Sequence, residues 1–184
     1  MSSGAVTALC GALTVLAIGC GTAAPADRTP QATAACSAPE FPALQFGSHL
    51  LGDTPPPVPY SSTPPTSGWH ASGAIPITID TLSEPQQVSV LEVGAVVITH
   101  NGLQDTERSR LEQQVRDNYA DRVSVTPYDP LSEGEVTFAG WGVLQRCDGV
   151  DLDALDTFVD VYAVEDPAVP GTDTTPRTDE SGTS

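Results

Sequence analysis

Val88-Ser89-Val90-Leu91-Glu92-Val93-Gly94-Ala95-Val96-Val97-Ile98-Thr99 is the stretch on which the fold turns. It is long, rich in β-branched residues and nearly continuous in apolar ones, which reads as a strand. With no polar face, that strand is expected at the centre of a sheet. Glu92 interrupts the run, and a carboxylate in such a place needs a hydrogen-bonding or charged partner.

Working outward, Asn101-Gly102 turns the chain. Asp105 is the expected N-cap of a helix reaching about Tyr119, with Leu111, Val115 and Tyr119 as a narrow apolar stripe and Glu112 and Arg116 as a surface pair. Arg122 to Thr126 reads as a short strand ended by Pro127, and Glu135 to Cys147 as a second long strand. Gly140 and Gly142 flank Trp141 there, which points to a bulge or a close backbone approach. Asp151 opens a final helix to about Val164 that buries Leu152, Leu155, Val159 and Tyr162, with Asp151 and Asp153 at the positive end of its dipole. Upstream, Ile75 to Ile79 alternates weakly, as a short strand would. Residues 37–73 are rich in Pro, Ser and Gly; Pro55-Pro56-Pro57, Pro59 and Pro64-Pro65 remove backbone donors, so this stretch reads as an extended arm packed over the domain. The expected fold is α+β: a small mixed sheet with two helices packed on one face, preceded by the Pro-rich arm.

The ends carry location signals. The apolar run Ala5 to Ile18 has the length of a signal-peptide core and is too short to span a bilayer, which takes about 20 apolar residues. Gly19-Cys20 closes it and resembles the lipobox of bacterial lipoproteins, in which the cysteine is lipidated and becomes the mature N-terminus. Residues 1–19 are therefore expected to be a signal peptide, 20–35 a flexible tether, 36–164 the globular domain and 165–184 a disordered acidic tail. An ordinary cleaved signal, cut after Ala23 or Ala24, is the alternative and would make the protein secreted.

The four cysteines fit export. Cys10 is lost with the signal and Cys20 takes the lipid, which leaves Cys36 and Cys147 to form a disulfide in an oxidising compartment. The chain has 24 acidic residues, seven arginines and no lysine, for a formal charge of −17. A surface so acidic repels nucleic acid and anionic headgroups and favours cations or basic partners.

Ser62-Thr63-Pro64-Pro65-Thr66-Ser67-Gly68-Trp69-His70 and Leu91-Glu92-Val93-Gly94-Ala95-Val96-Val97-Ile98-Thr99 together resemble the domain of unknown function three-one-zero-five, found largely in actinobacterial exported or membrane-anchored proteins. Its members carry a Pro-Pro-Thr-Ser-Gly-x-His motif, then a His-x-Leu-Glu-His-Gly strand, and Ala139-Gly140-Trp141-Gly142 is similar to an Ala-Trp-Gly element of the family. The resemblance spans at most residues 58–163. His70 and Glu92 match, whereas the two strand histidines are replaced by Ser89 and Val93, so a site built on three histidines cannot be intact here. The resemblance implies location and fold and no established activity.

Three chemistries compete for these residues. His70, Glu92 and His100, with His49 as a further candidate, offer imidazole and carboxylate ligands for copper or zinc, though without a ligand-spacing motif. Alternatively His70 caps the Pro-rich turn, His100 sits at a solvated strand end, and Glu92 anchors the arm through His70, Ser67 or Thr66. A hydrolase would have to assemble Ser89, His70 and Glu92 without any Gly-x-Ser-x-Gly elbow. The expected protein is a lipid-anchored extracytoplasmic binding or accessory domain without catalysis or cofactor, held on the outer face of the membrane; the alternative is a metal-binding protein using His70.

Overall fold

The computed structural model describes residues 34–164. In order it contains β1 (Phe46–Leu50), β2 (Gly68–Ala71), α1 (Glu84–Glu92), β3 (Val96–His100), α2 (Asp105–Asn118), β4 (Val123–Pro127), β5 (Val136–Gly140), β6 (Val143–Cys147) and α3 (Leu152–Tyr162). The architecture is α+β, as expected. A mixed sheet runs in the order β4-β3-β5-β6, and β1 and β2 form a separate two-stranded sheet inside the arm. β3 and β4 are parallel, with α2 between them in the chain; β3–β5 and β5–β6 are antiparallel. The expected export signal, Cys20 and the expected acidic tail lie outside the described residues, as does most of the expected tether.

The decisive stretch is not one strand. Its first half is α1, its second half is β3, and Gly94 at φ 80° turns the chain between them. Helix entry was written just upstream, in Ser83-Glu84-Pro85-Gln86: Pro85 sits in the first turn and the Ser83 N–H donates to Gln86 Oε1 at 2.8 Å. Periodicity gave no warning, because Val88, Val90 and Leu91 are all fully buried and the helix has no clean polar face. Glu92 is accordingly the last residue of a helix rather than a strand interior.

Three smaller expectations also change. Residues 136–147 form a hairpin, β5 turning into β6 through Trp141-Gly142 with Gly142 at φ 71°, so the glycines mark a tight turn. Residues 75–79 are not a strand, although the Thr78 carbonyl accepts from the Val125 N–H at 2.9 Å beside β4. Gln104, not Asp105, is the N-cap of α2.

Strand alternation divides the core. Val96, Ile98, Val123, Val125, Val136 and Phe138 face α2 and α3, where they meet Leu111, Val115, Leu155, Phe158 and Val159. Val97, Ala139 and Leu144 face the opposite way and meet Val90 and Leu91 of α1. This second face also carries buried hydroxyls with assigned partners. Thr99 and Thr137 pair across strands at 2.6 Å, Ser124 Oγ accepts the Thr78 N–H, and Thr126 Oγ1 accepts the Leu82 N–H. The sheet thus seats the lead-in to α1 by hydrogen bonds and α1 itself by apolar contact.

Cys36 and Cys147 are disulfide-bonded. The bond ties the start of the arm to the end of β6, and the Ser37 and Glu40 N–H groups extend the attachment by donating to Arg146 O and Leu144 O, each at 2.8 Å. Arg146 then holds the arm from its side chain, reaching Glu40, Glu135 and the Thr63 carbonyl.

Candidate metal centre

His49, His70 and Glu92 each place one ligand atom within 4.8 Å of the others'. They come from three elements, β1, β2 and the end of α1, so the site exists only where the arm meets the helix.

β1 runs parallel to β2 with His49 opposite His70. Gly47 makes this pairing possible: a Cβ there would lie 2.2 Å from the Trp69 nitrogen and 2.3 Å from the Gly68 carbonyl carbon. Only glycine lets the two backbones come so near. The two imidazoles then stand edge to face, with ring centroids 4.6 Å apart. On the other side, Ser89 of α1 donates its hydroxyl to the Ala71 carbonyl at 2.9 Å, tying helix to strand, and Glu92 follows one turn later with a carboxylate oxygen beside His70 Nε2. Ser89 donates also to Pro85 O at 3.1 Å. Its hydroxyl is turned to backbone carbonyls, and no nucleophile–base contact with His70 forms.

His70 is 4% exposed. Its Nδ1 lies 3.0 Å from the Gly68 carbonyl, which fixes the proton on Nδ1 in the neutral ring and leaves the Nε2 lone pair free. Nε2 is buried and makes no hydrogen bond. A Glu92 carboxylate oxygen stands 3.1 Å away, but off the line along which an Nε2–H would point, so the contact is electrostatic proximity without a hydrogen bond. A histidine whose Nδ1–H is held by a backbone carbonyl and whose Nε2 is bare has the arrangement that metal-ligating histidines adopt. His49 and Glu92 are exposed, so the cluster opens to solvent on one side.

The donor set, two imidazole nitrogens and one carboxylate oxygen, suits zinc or copper(II). A tetrahedral ion with bonds of about 2.0–2.1 Å needs ligand atoms about 3.4 Å apart. The His70 Nε2 and Glu92 Oε2 atoms, 3.1 Å apart, already stand near that spacing, and three protein ligands leave a position open for water or another ligand.

His100 does not join this group. It ends β3, is 7% exposed rather than solvated, and carries a buried Nδ1 with no hydrogen-bond partner. Burial holds its pKa below the usual imidazole value, Arg108 lowers it further, and Glu112 opposes both. Ser67 and Thr66 do not reach Glu92 either: Ser67 Oγ accepts the Gln45 N–H at 3.0 Å, and the Thr66 carbonyl accepts from Gly142. Of the residues singled out in the sequence, His70 and Glu92 meet, His49 completes the group, and Ser89 positions the helix. No spacing signal could have selected His49, because only the parallel register of β1 on β2 brings it to His70.

The chain belongs to the family described as "Protein of unknown function (DUF3105)", which matches residues 53–177, about two thirds of its length. His70, Glu92 and Cys147 lie within that match, while His49 and Cys36 precede it. Ser89 lies in α1 one turn before Glu92, and Val93 is the helix C-cap. No curated protein and no solved structure matches the chain.

Proposed function

We propose that this chain is a lipid-anchored extracytoplasmic binding module that holds a divalent transition-metal ion, copper(II) or zinc, between His49, His70 and Glu92, and that it performs no catalysis. One observation carries the reading: the buried His70 Nε2, bare of hydrogen bonds, lies 3.1 Å from a Glu92 carboxylate oxygen while its Nδ1 is held by Gly68, and the His49 imidazole packs beside the same ring. A buried polar atom without a partner is costly, and an ion would satisfy it. The acidic surface supports the reading by concentrating cations around the protein. The lipobox resemblance at Cys20, together with the Cys36–Cys147 disulfide, supports placement outside the cytoplasm.

A metal-free pin is the competing reading, with a protonated His70 paired to Glu92. The off-line carboxylate counts against it. Metal analysis of protein purified without a histidine tag separates the two. Near one equivalent of zinc or copper is expected, lost in His70→Ala and weakened in His49→Ala. Failure of the untagged protein to retain or take up either ion would overturn the metal reading.

A further inference from the structure

We propose that the ion acts as a clasp on the arm, so that metal occupancy sets how firmly β1 is held against the domain. The inference rests on the metal-binding reading above. Two of the three ligands are already braced against each other. His70 is buried and fixed by Gly68, and α1, which carries Glu92, is joined to β2 through the Ser89–Ala71 bond. His49 is the ligand without such support.

β1 pairs with β2 only, so its other edge has no strand partner among the described residues. Four of its five residues are exposed, and its register slips between Phe46 and His49. Ties exist at its two ends: the Gln45 N–H donates to Ser67 Oγ at 3.0 Å, and the Ser72 N–H donates to the Leu50 carbonyl at 3.3 Å, where Leu50 itself is buried. Between them the strand buries no side chain and rests on backbone pairing at the close approach of Gly47. Stretches with few buried apolar contacts and exposed backbone hydrogen bonds open most readily.

An ion changes that balance because it would bond β1 directly to the elements that carry the other two ligands. Ligand atoms around a tetrahedral ion sit about 3.4 Å apart, a spacing the His70–Glu92 pair at 3.1 Å already approaches, and His70 is held by Gly68. His49 is the ligand that joins β1 to that pair, so a bound ion fastens β1 to β2 and α1. Opening of β1 then requires breaking a metal–nitrogen bond in addition to the edge pairing, the His49–His70 ring contact and the Leu50 seat that the metal-free protein has to give up.

Hydrogen exchange on the full chain, carrying no histidine tag, tests this with zinc sulfate and with copper(II) sulfate, alongside calorimetric titration of each ion. With ion at about 100 times its Kd, opening that releases the ion is opposed by a factor of about 100. Exchange over residues 46–50 should slow by up to that factor, while the exposed amides of α2, residues 105–118, which open without releasing the ion, stay unchanged. His49→Ala should bind more weakly through His70 and Glu92 and show no slowing in β1. Stoichiometric binding with unchanged exchange at 46–50 would overturn the clasp and leave the metal reading standing. Equal slowing in His49→Ala would also overturn it. No binding at all would overturn both.

Discussion

The four-stranded sheet and the β1–β2 pair hold their residues by opposite means. In the large sheet both faces are covered, by α2 and α3 on one side and α1 on the other. Side chains such as Ile98, Phe138 and Leu155 lie at most 1% exposed. The small sheet has almost no side-chain core: Gly47 brings backbones together, Gln45 and Tyr60 tie loop to strand through polar bonds, and four of the five β1 residues face solvent. The first region is stabilised by removal of apolar surface from water, and the second by backbone proximity. The difference teaches where binding chemistry can reside. A buried imidazole with a bare nitrogen next to exposed ligands needs a thin, open layer, and the arm supplies it.

The largest expected effect tests whether the two regions depend on one covalent link. Replacing both Cys36 and Cys147 by Ser frees the arm from β6. Because the pair is separated by 111 residues, loop-closure entropy predicts a loss of about 5 kcal/mol. Urea unfolding of the double variant measures it; a loss below about 1 kcal/mol would show that the hydrogen bonds from Ser37, Glu40 and Arg146 hold the arm without the bond. Next in size is Gly47→Ala, which forces a Cβ into the Trp69 backbone. Crowding of this kind costs about 1–3 kcal/mol, and here the cost should fall on the arm alone. Zinc affinity should drop about fivefold to about 150-fold, with near-ultraviolet circular dichroism of the core unchanged. Loss of the core signal would break the distinction between the regions.

The smallest effect contrasts the two kinds of histidine. Burial, then Arg108, keeps His100 below its ordinary pKa in the folded state. As pH falls through about 6.5, the unfolded chain takes up a proton there before the folded one does. The stabilising contribution is therefore present above that pH and lost below it, down through the lowered folded value. In metal-free buffer, wild type should lose more stability than His100→Gln between pH 7.5 and pH 5. Equal losses would mean that His100 titrates as freely as an exposed imidazole.

Legibility followed the same division. α2 and α3 were readable from their stripes, and β4 from its β-branched residues and Pro127. The Cys36–Cys147 pair was readable from cysteine count once export was assumed. The stretch 88–99 misled because a helix buried on both sides and a central strand show the same apolar run; Pro85 and Gly94 were the better guides. The site was half legible. His70 and Glu92 stood out as polar residues in motif and apolar run, but His100 was set ahead of His49, since ligand sets drawn from distant segments leave no spacing signal to choose between them.

The sequence by itself determined the fold class, the acidic field, the disulfide partners and two of the three candidate ligands, because composition, periodicity and cysteine count act locally or by simple enumeration. Only the tertiary structure decided that 88–99 breaks into helix and strand, that 136–147 folds back on itself, and that His49 rather than His100 stands beside His70. Those outcomes depend on which backbones approach one another. For the two histidines that approach is set by a glycine contact and a strand register between segments more than twenty residues apart, and no property of either segment alone encodes it.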